Sequence, residues 1–312
     1  LKKLKMPIRS SRLFAHAMLA FTALIWGTTF VFQTTGMVDV GAMGFQFYRF
    51  LAGSIALLPL AILEYRKHGF FPKNDDASSN QLSHKQLIWG SLGLGVFMFT
   101  GSALQQISLH TASVANVAYL TTLYVPLVPM FGLLLFGIHL PWSRWLAVAV
   151  FMIGSWLMTG ADFSTITPGD WIVLLGSVFW AFHIMLVGAL VIRREIPFQL
   201  AFLQTFITAI LSLIVFVMID TIDLSLAMAV LPDILFAGVL SIALGFTLQL
   251  IAQKNCSSSA AAIILSLEGM FAAFAGWILL DQGMTWMAII GAVIIMIAIL
   301  LVELSPARQS SS

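Results

Sequence analysis

Apolar residues run through this chain in long stretches, and polar residues gather in the gaps between them. Ten such stretches can be read. The first five are Leu13–Gln33, Phe45–Glu64, Leu87–Gln106, Ser113–Phe136 and Trp145–Thr159. The second five are Trp171–Ile192, Leu200–Ile219, Pro232–Ala252, Ala260–Leu280 and Trp286–Leu304. A helix crosses the hydrocarbon core of a bilayer with about 20 mostly apolar residues. The pattern therefore predicts an all-α polytopic membrane protein with ten transmembrane helices. Buried helices of a soluble protein mimic one or two such runs, not ten in series.

Composition strengthens this reading. The chain is 60% hydrophobic and 9% charged, with a mean hydropathy of +1.00. A soluble domain of 312 residues cannot hide that much apolar surface.

Charge then sets the orientation. Lys2, Lys3, Lys5, Arg9 and Arg12 precede the first run, and Arg66, Lys67, Lys73 and Lys85 follow the second. Arg144 follows the fourth, Arg193 and Arg194 the sixth, Lys254 the eighth, and Arg308 lies in the tail. The gaps after the odd-numbered runs hold no Lys or Arg; they carry Asp39, Asp162, Asp170, Asp220, Asp223 and Asp281, with Asp233 at the edge of a run. Basic loops stay inside, which predicts cytoplasmic N- and C-termini. The pI near 8.8 then reflects cytoplasmic loops beside anionic lipid and not a nucleic-acid footprint. The first run is too long for a signal-peptide core and no A-x-A-like site follows it, so it is expected to remain in the protein. Cys256 is the lone cysteine, which excludes an intramolecular disulfide. The polar stretch Pro72–Asn80 reads as a flexible inter-helix loop.

The two halves of the chain resemble each other. Ser102-Ala-Leu-Gln105 aligns with Phe246-Thr-Leu-Gln249, and the same register places Ser113 on Ser257, Gly132 on Gly276 and Trp142 on Trp286. Leu24-Ile-Trp26 aligns with Val178-Phe-Trp180, and Phe47 with Phe202, at a slightly different offset. This divides the chain into two five-helix units, 1–160 and 161–312. Five is odd, so the second unit enters the membrane from the opposite side. Inverted repeats of this kind underlie alternating access, with substrate bound near the midplane between the units. A duplicated scaffold without transport is the competing reading.

Several segments carry a family resemblance. Ile25-Trp-Gly-Thr-Thr-Phe-Val31, Tyr48-Arg-Phe-Leu51 and Gln105-Gln-Ile-Ser-Leu109 resemble the first three helices of EamA-type permeases of the drug/metabolite transporter superfamily. Leu265-Ser-Leu-Glu-Gly-Met-Phe-Ala272 and Trp277-Ile-Leu-Leu-Asp-Gln282 resemble that family's L-S-L-E-P-V-F-A…W-L-L-L-G-E stretch. The chain departs from it where Gly269 replaces the proline and Asp281-Gln282 replaces Gly-Glu, with Gly137-Ile138 at the equivalent place in the first half. The resemblance implies a ten-helix carrier of small organic metabolites, often driven by ion gradients or exchange. It favours export.

Two charges sit well inside the apolar runs, Arg49 and Glu268. Intramembrane charges are costly and commonly face a cavity or a partner. A carboxyl at Glu268 can alternate between a proton and a substrate ammonium group, or it can be a structural hydrogen bonder. Arg49, about one turn inside the outer end of its run, can snorkel to the interface, pair with an outer Asp, or bind a substrate carboxylate. The repeat register places Tyr124 opposite Glu268 at the pseudo-two-fold axis, with Asn116, Tyr119 and Thr121 a turn away and Pro126 and Pro129 as kink or hinge residues. Trp26 and Trp180 occupy equivalent mid-run positions and can wall a cavity or simply pack. His183, one turn from Trp180, can titrate near neutral pH or bridge helices. Gln105 and Gln249 match across the repeats and read mainly as helix locks.

No G-x-x-x-x-G-K-[ST], H-E-x-x-H or G-x-S-x-G occurs, and there are no paired Asp-rich clusters. The sequence thus predicts a non-enzyme without cofactor or metal. Its expected partners are the bilayer, a small-molecule substrate such as an amino acid or amphipathic compound, and H+, with no nucleic acid. The alternative to an alternating-access carrier is a passive facilitator or scaffold. The expected location is a bacterial inner membrane.

Overall fold

The computed structural model describes residues 8–70, 82–158, 167–193, 196–219, 223–281, 283 and 285–304. The Pro72–Asn80 loop, and the charges at Lys2, Lys3, Lys5, Lys73, Asp162, Arg194, Asp220 and Arg308, lie outside them. The described residues are nearly all helical and include no strand.

The first helix, α1 (Ile8–His68), carries two of the apolar runs. It changes direction at Gly41, whose φ of 73° and ψ of 164° lie where a side chain is strained. The polar gap before that turn stays helical because Thr34 and Thr35 donate back to the carbonyls of Phe30 and Val31 at 2.9 and 3.2 Å. Thr35 also donates to Asp233 Oδ1 at 2.9 Å, which gives that outer carboxylate a structural partner.

Helix α2 (His84–Ser108) begins with a capping box. Ser83 Oγ accepts from Gln86 N–H while Ser83 N–H donates to Gln86 Oε1, so two otherwise orphaned donors are satisfied. After α3 (Val114–Thr121), α4 (Tyr124–Phe136) and α5 (Trp142–Met158), helix α6 (Pro168–Val191) repeats the device with Thr167 and Asp170. Helices α7 (Pro197–Ile219), α8 (Leu224–Ala229) and α9 (Leu231–Leu235) follow. Asp223 caps α8, and its hydrogen bonds from the Ser225 hydroxyl and N–H hold the carboxyl below the usual aspartate range. A π-helical stretch (Phe236–Gly245) leads into α10 (Phe246–Gln253), then α11 (Ser258–Leu265), α12 (Leu267–Leu280) and α13 (Trp286–Leu304).

Two apolar runs expected to be continuous are broken, one at Thr122 and Leu123, the other at Ser266. The local chemistry is the same at both breaks. Thr122 Oγ1 donates to Tyr119 O and Ser266 Oγ donates to Ile263 O, each at 2.6 Å, a back-bond that Ser177 also makes inside the unbroken α6. In the first case Pro126 adds a ring that collides with the carbonyl of Thr122, four residues earlier. The halves match at their ends too. Ser113 and Ser257 cap α3 and α11 through their side chains. Gly137 and Asp281 end α4 and α12 in the left-handed region, at φ of 63° and 52°.

Helix α1 packs along α7, the π-helical stretch and α12; α2 lies against α6, and α5 against α13. Glycine sets the closest approaches. A Cβ on Gly27 would stand 2.6 Å from Glu268 O, so α1 and α12 meet backbone to backbone there. A Cβ on Gly154 would stand 2.8 Å from Gly291 O, which draws α5 against α13. The distribution of polarity is inside out relative to a soluble protein. Gln33, Gln106, Gln204, Gln249, Gln253 and His183 are buried, while Trp89, Trp142, Trp171 and Trp286 are exposed near helix starts. Seven helical stretches are long and apolar enough to cross a membrane, and two shorter apolar helices accompany them.

Candidate functional site

The buried polar groups converge on one recess between the two halves of the chain. It is walled by α1, α2, α3, α4, α6, the π-helical stretch, α10 and α12. Its charged side chains are Arg49 and Glu268.

Glu268 enters from the first turn of α12, just past the break at Ser266. Tyr124 enters from the first turn of α4, just past the break at Thr122. The phenol donates to Glu268 Oε1 at 3.0 Å, and both side chains are buried. The breaks matter because each starts a new helix whose first turn aims a side chain inward. A buried hydrogen bond of this kind contributes about 0.5–1.5 kcal/mol.

Aromatic rings form the walls. Phe246 lies between the two tryptophans, with ring centroids 4.6 Å from Trp26 and 6.1 Å from Trp180. Trp26 Nε1 donates to Ser241 O at 3.1 Å, so the π-helical stretch finds a side-chain donor for one of its carbonyls. Phe30 and Phe50 complete the apolar surface.

Arg49 is 3% exposed and does not reach the interface. Its guanidinium carbon lies 5.2 Å from the Phe50 ring centroid and 5.9 Å from that of Phe45. With the Gln46 oxygen facing Arg49, Nη2 donates to it at 3.3 Å. Turned over, the Gln46 amide donates to Ser102 O at 3.0 Å and accepts from Ala103 N–H and Ser102 Oγ, both at 3.2 Å. The second set is shorter and larger, so α2 holds Gln46. Arg49 then has no hydrogen-bond acceptor among the described residues, and Nε has none in either orientation.

His183 sits one layer behind the wall. It is fully buried, shares a 3.0 Å hydrogen bond with Gln204 Oε1, and meets Trp180 and Phe246 edge-on. Asn116 and Tyr119 are not in the lining; Tyr119 lines a second recess near Thr122 and Ser266. Tyr119, five residues before Tyr124, stands about 140° round the helix from it, and Asn116 is about two turns away, so neither shares its face at the same level. Ser102, Ser241 and Phe246 line the recess without having been singled out for it from sequence. The signal for two of them was present, since Ser102 and Phe246 occupy equivalent positions in the aligned segments.

A bundle of lipid-compatible helices around a buried polar and aromatic recess defines an integral membrane protein built to handle a small molecule. The comparison with known families makes this specific. The sequence profile of the EamA-like transporter family matches residues 13–160 and 167–304, and the chain belongs to that family. An uncharacterized transporter of Archaeoglobus fulgidus is 27% identical over 293 residues, covering 94% of this chain and 87% of its own. A crystal structure of another protein, 14% identical, matches with a TM-score of 0.67 over 92% of this chain and 95% of its own, and speaks for the fold alone. Family and relative are both described as transporters.

Proposed function

We propose that the protein is a secondary carrier that exports small organic metabolites, such as amino acids or amphipathic compounds, by alternating access. In this reading ten transmembrane helices form two inverted five-helix repeats, 1–160 and 161–312, with both termini in the cytoplasm of a bacterial cell. Glu268 exchanges a proton for substrate, and H+ moves against the substrate. Arg49 and the aromatic walls of Trp26 and Trp180 bind the substrate.

The observation that carries this reading is the contact between Tyr124 and Glu268. They are 144 positions apart, the offset that relates the two halves, and they touch each other. Equivalent residues meet only at an axis relating the repeats, which is where an inverted-repeat carrier holds its substrate. An intramembrane acid at that point is suited to coupling.

The test is counterflow in proteoliposomes. A carrier loaded with unlabelled phenylalanine or another accepted amino acid accumulates the labelled compound transiently and shows saturation. A passive facilitator equilibrates it without overshoot, and that result would refute alternating access.

A further inference from the structure

The repeat-equivalent glutamines of the recess are not equivalent in their bonding. Gln105 Nε2 donates to Thr121 Oγ1 at 3.0 Å, so its amide is tied to α3. Gln249 is fully buried, lines the recess, and neither its nitrogen nor its oxygen has a partner. The reason lies in the sequence. The offset that takes Gln105 to Gln249 takes Thr121 to Leu265, which has no oxygen to accept. Two further donors in the same lining are unpartnered, Trp180 Nε1 and Arg49 Nε. Trp26, the counterpart of Trp180, spends its indole N–H on Ser241 O. An unmade hydrogen bond at a buried group costs about 1–3 kcal/mol. Three unpartnered donors around one recess, each on a different helix, are more than packing requires, and one of them is a cation. The same lining holds two unpartnered acceptors, Gln33 Oε1 and Gln249 Oε1.

Resting on the carrier reading above, we infer that Arg49, Trp180 Nε1 and Gln249 Nε2 form an anion pole that takes the carboxylate of the substrate. The transported compound therefore bears a carboxylate on an apolar, ring-sized body that packs on Phe246 and the tryptophans. A guanidinium, an indole N–H and an amide N–H are donors a carboxylate can accept from together. The Gln249 oxygen remains to accept from a hydroxyl, an amide or an ammonium next to that carboxylate. Glu268 stands apart from this pole, already bonded to Tyr124. Gln249 is thus a specificity residue, whereas Gln105 locks α2 to α3.

The experiment uses full-length protein with four probes of one shape: phenylalanine, 3-phenylpropionate, phenethylamine and phenylalanine methyl ester. Binding is measured by calorimetry in detergent and flux in proteoliposomes. The two acids should bind at least about tenfold more tightly than the amine and the ester, the equivalent of one charge-assisted hydrogen bond. Gln249→Leu should weaken both acids about tenfold, 3-phenylpropionate included although it has no ammonium, and Gln249→Glu, nearly isosteric, should weaken the acids further. The comparison among probes on unmodified protein needs no variant to fold. Amine or ester binding as tightly as the acids, or no acid binding at all, would overturn the anion pole. Acids that bind but never cross would leave the pole standing and sink the carrier reading. Amine that crosses while the acids neither bind nor cross would do the reverse.

Discussion

Tyr124 donates a 3.0 Å hydrogen bond to Glu268, the residue standing 144 positions further along the chain. The same offset relates the capping serines 113 and 257, the break residues Thr122 and Ser266, and the left-handed helix ends at Gly137 and Asp281. The contact joins the two halves where their broken helices meet.

That contact should be worth a measurable coupling energy. Tyr124→Phe removes the donor, and Glu268→Gln replaces the carboxylate with a neutral acceptor. Each should lower transport about tenfold or more, and the double variant should fall short of the sum of the two losses, since both changes act on one contact. Additive losses in the cycle would show that the two groups act separately.

The helix breaks are predicted to differ in what sustains them. At Thr122 the hydroxyl back-bond is reinforced by Pro126; at Ser266 the hydroxyl acts without a proline. Ser266→Ala should therefore disturb its break and lower transport more than Thr122→Ala, whose break keeps Pro126. Hydrogen exchange over residues 262–270 is the measurement. Faster loss of transport in Thr122→Ala than in Ser266→Ala would contradict the assignment.

Much of this arrangement was legible in the sequence and some was not. The apolar runs located the helices because lipid enforces long uninterrupted segments. The register between the halves put Tyr124 opposite Glu268. Reading Asn116 and Tyr119 as one turn from Tyr124 overlooked their spacing of eight and five residues, which puts Tyr119 about 140° round the helix and Asn116 about two turns away. Depth alone allowed Arg49 to snorkel; the guanidinium is instead buried beside the Phe45 and Phe50 rings. The difference between Gln105 and Gln249 depends on Thr121 and Leu265, residues whose significance shows only once both helices are seen together. The π-helical stretch left no mark in the hydropathy pattern.

Gly27 marks a tight seam beside the site. A methyl group there would fall 2.6 Å from Glu268 O and the same distance from Phe271 Cβ. Gly27→Ala should force α12 off α1 and cost about 1–3 kcal/mol. It should lower the apparent Tm in detergent and weaken transport together. An unchanged Tm would show that the seam yields freely.

Asp281 offers a change in the opposite direction. It is the non-glycine residue with positive φ among the described residues, and its counterpart in the first half is Gly137. Asp281→Gly should relieve the left-handed strain, stabilise the end of α12 by about 0.5–1 kcal/mol and leave transport intact. A lowered Tm would mean that the Asp281 side chain holds something the backbone geometry does not reveal.

The central claim is that Glu268 couples substrate to protons. It is tested most directly by recording internal pH in proteoliposomes challenged with amino acids and amphipathic amines, with Glu268→Gln measured in parallel. The account predicts substrate-dependent proton movement in the natural protein and its loss in the variant. Proton movement that persists undiminished and equally pH-dependent in folded Glu268→Gln would contradict it.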